Sequence, residues 1–304
     1  MNSLVVIPTF SYTLICMLRT RWGSAVSQIQ VDTVTRHRPF LKWPGGKFRL
    51  LSHILPHLPK KSCLVEPFVG AGSIFFNAQF SQCVLNDINP DLMNLYHYIQ
   101  ATGPACIEHL QSFFHPKSNS SRRYYQLRTQ FNRTQDSHEK AALFLYLNRH
   151  GYNGLCRYNN KGGYNVPFGY YVRPYFPHKE ILHFLHLSQH SKIHLKCTHF
   201  TDVIQQAPKG AVIYCDPPYV PLSKTANFTG YYHAFGLDEQ RQLAESAHLA
   251  CKRGCTVLIS NHDVPFTREL YHTAKLVTFS AQRNISCNSK KRGRVGELLA
   301  LYAP

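Results

Sequence analysis

The sequence predicts an α/β protein, a doubly wound sheet interrupted by a mainly helical insert, and three observations carry that expectation. The first is a set of short apolar runs bounded by Gly, Pro, Asp or Asn: Cys63–Val65, Cys83–Leu85, Ala211–Cys215, Thr256–Ser260 and Leu298–Tyr302. Such runs are the mark of strands buried on both faces of a parallel sheet. The second is helical periodicity between some of these runs. In "GLDEQRQLAESAHLACKRG", Leu243, Ala247 and Cys251 recur at i, i+4 and i+8, with Asp238 expected as N-cap and Gly254 as the stop. The third is a change of character between about residues 90 and 177. There "EKAALFLYLNRHGYNGLCRYNNKGGYNVPFGYY" begins as an apolar helix and dissolves into Gly, Asn, Tyr and Arg.

These observations divide the chain. Residues 37–89 and 178–304 are expected to form the α/β domain, with residues 90–177 inserted into it. Residues 1–36 read as an appendage, either a disordered arm or a start codon placed too far upstream. Its apolar run, residues 4–18, is short for a bilayer, contains Pro8 and has no basic residue before it, which fails the secretory pattern. A membrane anchor is the alternative there.

Composition narrows the function. With 304 residues and 44% hydrophobic content, wholesale disorder is excluded. Lys and Arg outnumber Asp and Glu by 34 to 16, a formal charge of +18. That excess points to a polyanionic partner, nucleic acid first; a generally basic protein is the bland alternative. The 10 cysteines are scattered without a CxxC pair. Cys251 and Cys255 lie four apart with no second pair to complete a zinc site, and Cys63, Cys83 and Cys215 sit inside apolar runs. A reduced, cytoplasmic protein is expected. In "HFLHLSQH", His183, His186 and His190 have helical spacing but no carboxylate partners, so a helix surface is expected rather than a metal site. "KKRGR" (Lys290–Arg294) is either a solvated charge cluster or a phosphate contact.

Three motifs carry chemistry. In "CLVEPFVGAGSIFF" an apolar strand enters Gly70-Ala71-Gly72, then a helix expected near Ser73. Glycines there let a ligand approach the backbone. A dinucleotide fingerprint needs a small residue where Phe75 stands, so the nicotinamide reading is weak, and a simple turn stays open. In "VLNDINPDL", Asp87 closes a strand 17 residues after Gly70. It is placed either to accept ribose hydroxyls or to cap the following helix, and the glycine turn favours the adenosyl ligand. In "IYCDPPY", Asp216 ends a strand, where ligands of such sheets bind. Pro217 and Pro218 have fixed φ and no N–H, which leaves their carbonyls as directed acceptors. Asp216 and the Pro217 carbonyl together face one amino group, and Tyr219 offers a ring for a base to stack on.

At this point the sequence resembles the Dam family of DNA adenine methylases. The resemblance rests on "FLKWPGGK", "LVEPFVGAGS", "LNDIN", "FLYLNRHGYNGLCRYN", "NVPFG", "YCDPPY", "TANFT" (Thr225–Thr229), "LISNHD" and "ELLALY", in that order over about residues 38–304. It implies a Rossmann-like S-adenosylmethionine-dependent methyltransferase domain with an inserted, mainly helical DNA-recognition domain. It further implies methyl transfer from S-adenosyl-L-methionine to the N6 amine of an adenine in GATC, the base being flipped from double-stranded DNA. By the same resemblance Asp216, Pro217 and Tyr219 are catalytic. Trp43, Lys47, Glu66, Phe68, Gly70, Gly72, Asp87 and Asp216 hold the cofactor. Lys42 and Arg157 contact guanines, Tyr152 wedges into the duplex, Asn153 meets the base left behind, and Leu155 and Pro167 make apolar contacts. No metal, membrane or obligate protein partner is expected.

One position departs from the family pattern. After "PFG" many relatives carry an arginine that contacts phosphate; this chain has Tyr170. Its loss bears on positioning rather than on the recognised core. Three rivals are weighed: a methylase of RNA or of protein glutamine, a modification methylase of a restriction–modification pair with another site, and a catalytically silent DNA-binding homologue. The first typically shows Asn where this chain has Asp216. The last predicts DNA binding without methyl incorporation.

Overall fold

In chain order the strands are β1 (Cys63–Glu66), β2 (Gln82–Asn86), β3 (Lys192–Lys196), β4 (Val212–Cys215), β5 (Thr256–His262), β6 (Lys275–Gln282) and β7 (Arg294–Tyr302). They form one sheet in the order β3-β2-β1-β4-β5-β7-β6. The first five run parallel, and β7 lies antiparallel between β5 and β6. The computed structural model describes residues 35–220, 235–282 and 294–304; Thr225–Thr229 and most of the "KKRGR" run lie outside the described residues.

The helices are α1 (Leu51–Ile54), α2 (Pro90–Thr102), α3 (Cys106–Ser112), α4 (Ser121–Phe131), α5 (Ser137–His150), α6 (His178–His190), α7 (Phe200–Gln205), α8 (Leu237–Lys252) and α9 (Pro265–Leu270). Alternate strand residues face opposite sides, as the pleat requires. Leu64, Leu85, Tyr214 and Leu258 meet Tyr96 and Ile99 of α2, Leu143 and Leu147 of α5 and Phe184 of α6 in one core. Val65, Ile213, Cys215 and Ile259 meet Val203 of α7 and Leu243 and Ala247 of α8 in the other. Helices α2–α5 and the long loop after them are threaded between β2 and β3. They share the sheet's first core, and residues 36–304 cluster as one compact unit.

All five apolar runs become central strands. The two edge strands, β3 and β6, went unanticipated. Both are partly exposed, with Lys192, His194, Lys275 and Thr278 open to solvent, so neither shows the continuous apolar run of a covered strand.

Two local expectations are corrected, and the alternative that Asp87 caps a helix falls away. Helix α8 starts at Leu237 with Gly236 as N-cap; the Gly236 N–H donates to Glu239 Oε2 at 2.7 Å, while Asp238 pairs with Arg241. The turn after Gly72 tightens into a 3₁₀ segment, Phe75–Asn77, rather than a full helix. Asn89, not Asp87, caps α2, its Oδ1 accepting from the Asp91 and Leu92 N–H groups.

Candidate active site and nucleic-acid interface

The carboxyl ends of β1, β2 and β4 lie side by side, and each ends in a carboxylate: Glu66, Asp87 and Asp216. Asp216 Oδ1 pairs with Lys47 Nζ at 2.6 Å and accepts from Ser260 Oγ of β5 at 3.1 Å. Burial pushes the Asp216 carboxyl up; Lys47 and the Ser260 hydroxyl pull it back toward ionisation. Glu66 accepts from the Phe75 N–H at 2.8 Å. Burial pushes it up to about 8; that hydrogen bond opposes the rise, and nearby Asp216 adds to it.

Tyr219 is held from several sides. Its hydroxyl donates to Glu297 Oε2 at 2.9 Å, the His262 ring stands edge-on at 4.8 Å, and Lys47 Nζ lies 4.5 Å from its ring centroid. Of the two proline carbonyls expected to be free acceptors, that of Pro218 accepts from Gln240 Nε2 at 2.8 Å. It is therefore engaged inside the protein, and the expected pair of Asp216 and the Pro217 carbonyl does not involve it.

The glycine turn is tied to the second carboxylate. The Gly70 N–H donates to Asp87 Oδ2 at 3.1 Å, and the Asn89 N–H donates to Asp87 Oδ1 at 3.0 Å. Gly70 has φ +49°, and a Cβ there would lie 2.8 Å from Trp43 Nε1. Only glycine lets the indole seat against this turn. Gly72 follows at φ +75°, and Phe68 packs between Phe200 and Phe235 at 5.3 and 5.6 Å.

This donor set fits S-adenosylmethionine. The ligand offers an ammonium, a ribose diol and a sulfonium, and three carboxylates with two aromatic walls stand at the strand ends. Among the described residues no group of His, Cys, Asp or Glu is placed to hold a metal ion, and no helix is long and apolar enough to cross a membrane.

A second cluster gathers the residues expected to meet DNA. The chain leaving α5 forms a short hairpin pinned by bridges Gly151–Phe168 and Tyr158–Tyr164. Tyr152 is half exposed at its base, and its N–H donates to the Pro167 carbonyl at 2.9 Å. Asn153 adopts φ +53°, and its N–H donates to the Tyr171 hydroxyl. The Leu155 carbonyl accepts from Tyr164. Arg157 is exposed, its guanidinium steered by the Asn165 side chain at 2.8 Å and the Asn165 carbonyl at 3.3 Å. Lys42 reaches this cluster from the N-terminal side. Its Nζ donates to the Arg149 carbonyl at 3.1 Å and lies 3.6 Å over the Tyr171 ring. Burial, then Arg149, lowers its pKa to about 8. Tyr170 stands 79% exposed at φ +51°. The segment 42–47 thus bridges both clusters, with Lys42 at the hairpin, Trp43 on Gly70 and Lys47 on Asp216.

Sequence reasoning missed Glu297, Ser260 and Gln240 as supports of the site. Glu297 had a signal: it is the one carboxylate of the strand-like "ELLALY" run. Ser260 lay inside the "LISNHD" motif without a role assigned to it, and Gln240 had no signal, because their roles arise only when β5 and α8 pack beside β4.

Residues 43–285 match the D12 class N6 adenine-specific DNA methyltransferase family. Relatives named DNA adenine methylase include that of Salmonella typhi, 51% identical over 88% of this chain and 96% of its own. That of Escherichia coli K12 is 50% identical over the same shares. A Vibrio cholerae enzyme of the same name is 48% identical over 88% of this chain and 97% of its own. Among solved structures, an rRNA methylase from Streptococcus thermophilus aligns over 84% of this chain and 94% of its own, at 8% identity and a TM-score of 0.34, a distant likeness from which nothing further follows. The chain belongs to the D12 class of N6 adenine-specific DNA methyltransferases, enzymes that use S-adenosylmethionine.

Proposed function

We propose that this methyltransferase acts on GATC in double-stranded DNA, on an adenine flipped into the cleft beside Asp216. The observation that carries the reading is the strand-end cluster of Asp216, Pro217 and Tyr219, with Lys47 on the aspartate. S-adenosylmethionine supplies the methyl group when bound, held by Trp43, Lys47, Glu66, Phe68, Gly70, Gly72 and Asp87. Asp216 and the Pro217 carbonyl accept the two hydrogens of the adenine amine, which turns the nitrogen lone pair away from the ring. Tyr219 stacks on the base, with its hydroxyl anchored on Glu297. Because burial raises its proton affinity, Asp216 is suited to take the proton that the nitrogen sheds. Positioning and electrostatics supply the rate, and no covalent enzyme intermediate is needed.

Recognition is assigned to residues 90–177 and transfer to residues 37–89 with 178–304. Arg157 and Lys42 read guanines, since a guanidinium or ammonium suits their O6 and N7 edge. Tyr152 fills the space of the flipped base and Asn153 meets its orphaned partner. Leu155 and Pro167 make apolar contacts with bases. This reading places the enzyme beside the chromosome, in the cytoplasm. The test is methyl incorporation into duplexes carrying GATC and each of its single-base variants. Incorporation at the adenine of GATC, at least about tenfold above every variant, is expected. Equal incorporation across the set, or preference for another sequence, would overturn the assigned site.

A further inference from the structure

Arg157 is exposed, yet the residues on either side of it are tied to the start of α2. The Tyr158 hydroxyl donates to Asp91 Oδ2 at 2.7 Å and approaches Asn89 Oδ1 at 3.4 Å. Cys156 is buried, and its sulfur accepts from Asn89 Nδ2 at 3.4 Å. Asn89 is fully buried and is already the cap of α2, and Lys140 of α5 braces Asp91 at 3.5 Å. The same turn holds Asp87, through the Asn89 N–H at 3.0 Å. The arginine therefore stands on a backbone fixed at both neighbours to the turn that carries a proposed cofactor carboxylate.

We propose that Tyr158, through its hydroxyl on Asp91, is a specificity-determining positioning residue: it fixes the depth and register at which Arg157 meets its guanine. The inference rests on the reading of Arg157 given above. A bidentate arginine contact discriminates only while both guanidinium nitrogens stay in the plane of the base edge. Asn165 orients the guanidinium within the hairpin, but it moves with the hairpin. The Asn89 and Asp91 contacts refer the arginine to the turn after β2, which lies outside the hairpin and holds the proposed cofactor carboxylate Asp87. Aspartate suits this anchor better than a neutral acceptor, because a phenol donates a stronger hydrogen bond to a charged oxygen. Burial, with Asp91 close by, raises the Tyr158 pKa well above the ordinary phenol range and keeps the donor proton in place.

The test compares kcat/KM on GATC with kcat/KM on duplexes altered at each guanine. Wild type, Tyr158→Phe, Asp91→Asn, Asp91→Ala and Arg157→Ala are measured, each with its thermal midpoint. Tyr158→Phe keeps the ring and removes one hydroxyl. It is expected to lower the discrimination ratio at the guanine affected by Arg157→Ala by about fivefold or more, while turnover on GATC stays within about twofold. Asp91→Ala should act likewise, and Asp91→Asn, which keeps an acceptor, should recover part of the ratio. Combining Tyr158→Phe with Asp91→Ala should add little to either alone, as members of one contact do. A merely structural role would lower activity on all duplexes together, along with the midpoint, and leave the ratio unchanged. An unchanged ratio in Tyr158→Phe beside a relaxed ratio in Arg157→Ala would overturn the proposal alone. An unchanged ratio in both would overturn the reading of Arg157, and the proposal with it.

Discussion

Asp216 is a part-buried carboxylate whose Oδ1 is addressed by both Lys47 and Ser260, which favour its ionised form against the cost of burial. Asp216→Ala removes the acceptor at the reacting amine. It should abolish methyl transfer while leaving cooperative thermal unfolding near that of the parent, measured side by side. Because the folded pKa is raised, the ionised form is lost on acidification earlier than for an ordinary carboxyl, and activity should fall on that acid limb. Ser260→Ala removes a donor to the ionised form, so the acid limb of kcat should move to higher pH; a limb that stays in place would detach Ser260 from Asp216. Glu66 gives a stability counterpart. Its folded pKa of about 8 lies above the ordinary 4.5, so its neutral form stabilises the fold fully below 4.5, and that contribution is lost as pH rises to about 8. Over this window wild type should lose up to about 1.4 kcal/mol per pH unit relative to Glu66→Gln in denaturant unfolding. Parallel curves would mean that Glu66 is ionised in the fold throughout. The grouping of Asp216 with Tyr219 was legible in the sequence because both stand within four consecutive positions at the end of one strand. Glu297 and Ser260 come from other strands, and no local spacing joins them to Asp216.

At the scale of elements, β7 shows what a pattern of apolar runs can and cannot reveal. Its C-terminal half, Leu298–Tyr302, reads as a buried strand. Its antiparallel insertion between β5 and β6, which carries Glu297 to Tyr219, depends on pairing and leaves no mark on the run itself. The edge strands stayed unread because solvent replaces half of their apolar cover. The hairpin after α5 was legible as a loop rich in Gly, Asn and aromatics, but its seat was not. Gly154 has φ +62°, and a Cβ there would come within 2.3 Å of the Lys42 Cβ. Gly154→Ala should therefore force the hairpin off Lys42, with backbone strain of about 1–3 kcal/mol. DNA affinity should fall in a fluorescence anisotropy titration while cofactor affinity, followed by calorimetry, holds. Loss of both would show that the hairpin and the strand-end cluster do not behave as separable elements.

Across the whole molecule, a formal charge of +18 sits on a chain whose proposed site holds three carboxylates at adjacent strand ends. In the proposed reading the cationic excess serves the duplex and the strand-end carboxyl groups serve the cofactor. DNA binding should weaken steeply with salt, with log K falling by about 0.9 per phosphate neutralised. Arg157→Ala should relax discrimination by roughly 1–3 kcal/mol while changing that slope little, because a base contact specifies where phosphate contacts position. The central claim is methyl transfer to adenine in GATC, and one measurement addresses it directly. The chain is expressed in bacteria lacking GATC methylation, and their DNA is challenged with one endonuclease that cuts only methylated GATC and one that cuts only unmethylated GATC. Cutting by the first and protection from the second is the predicted result. Protection from the first and cutting by the second, with soluble protein present, would contradict the account.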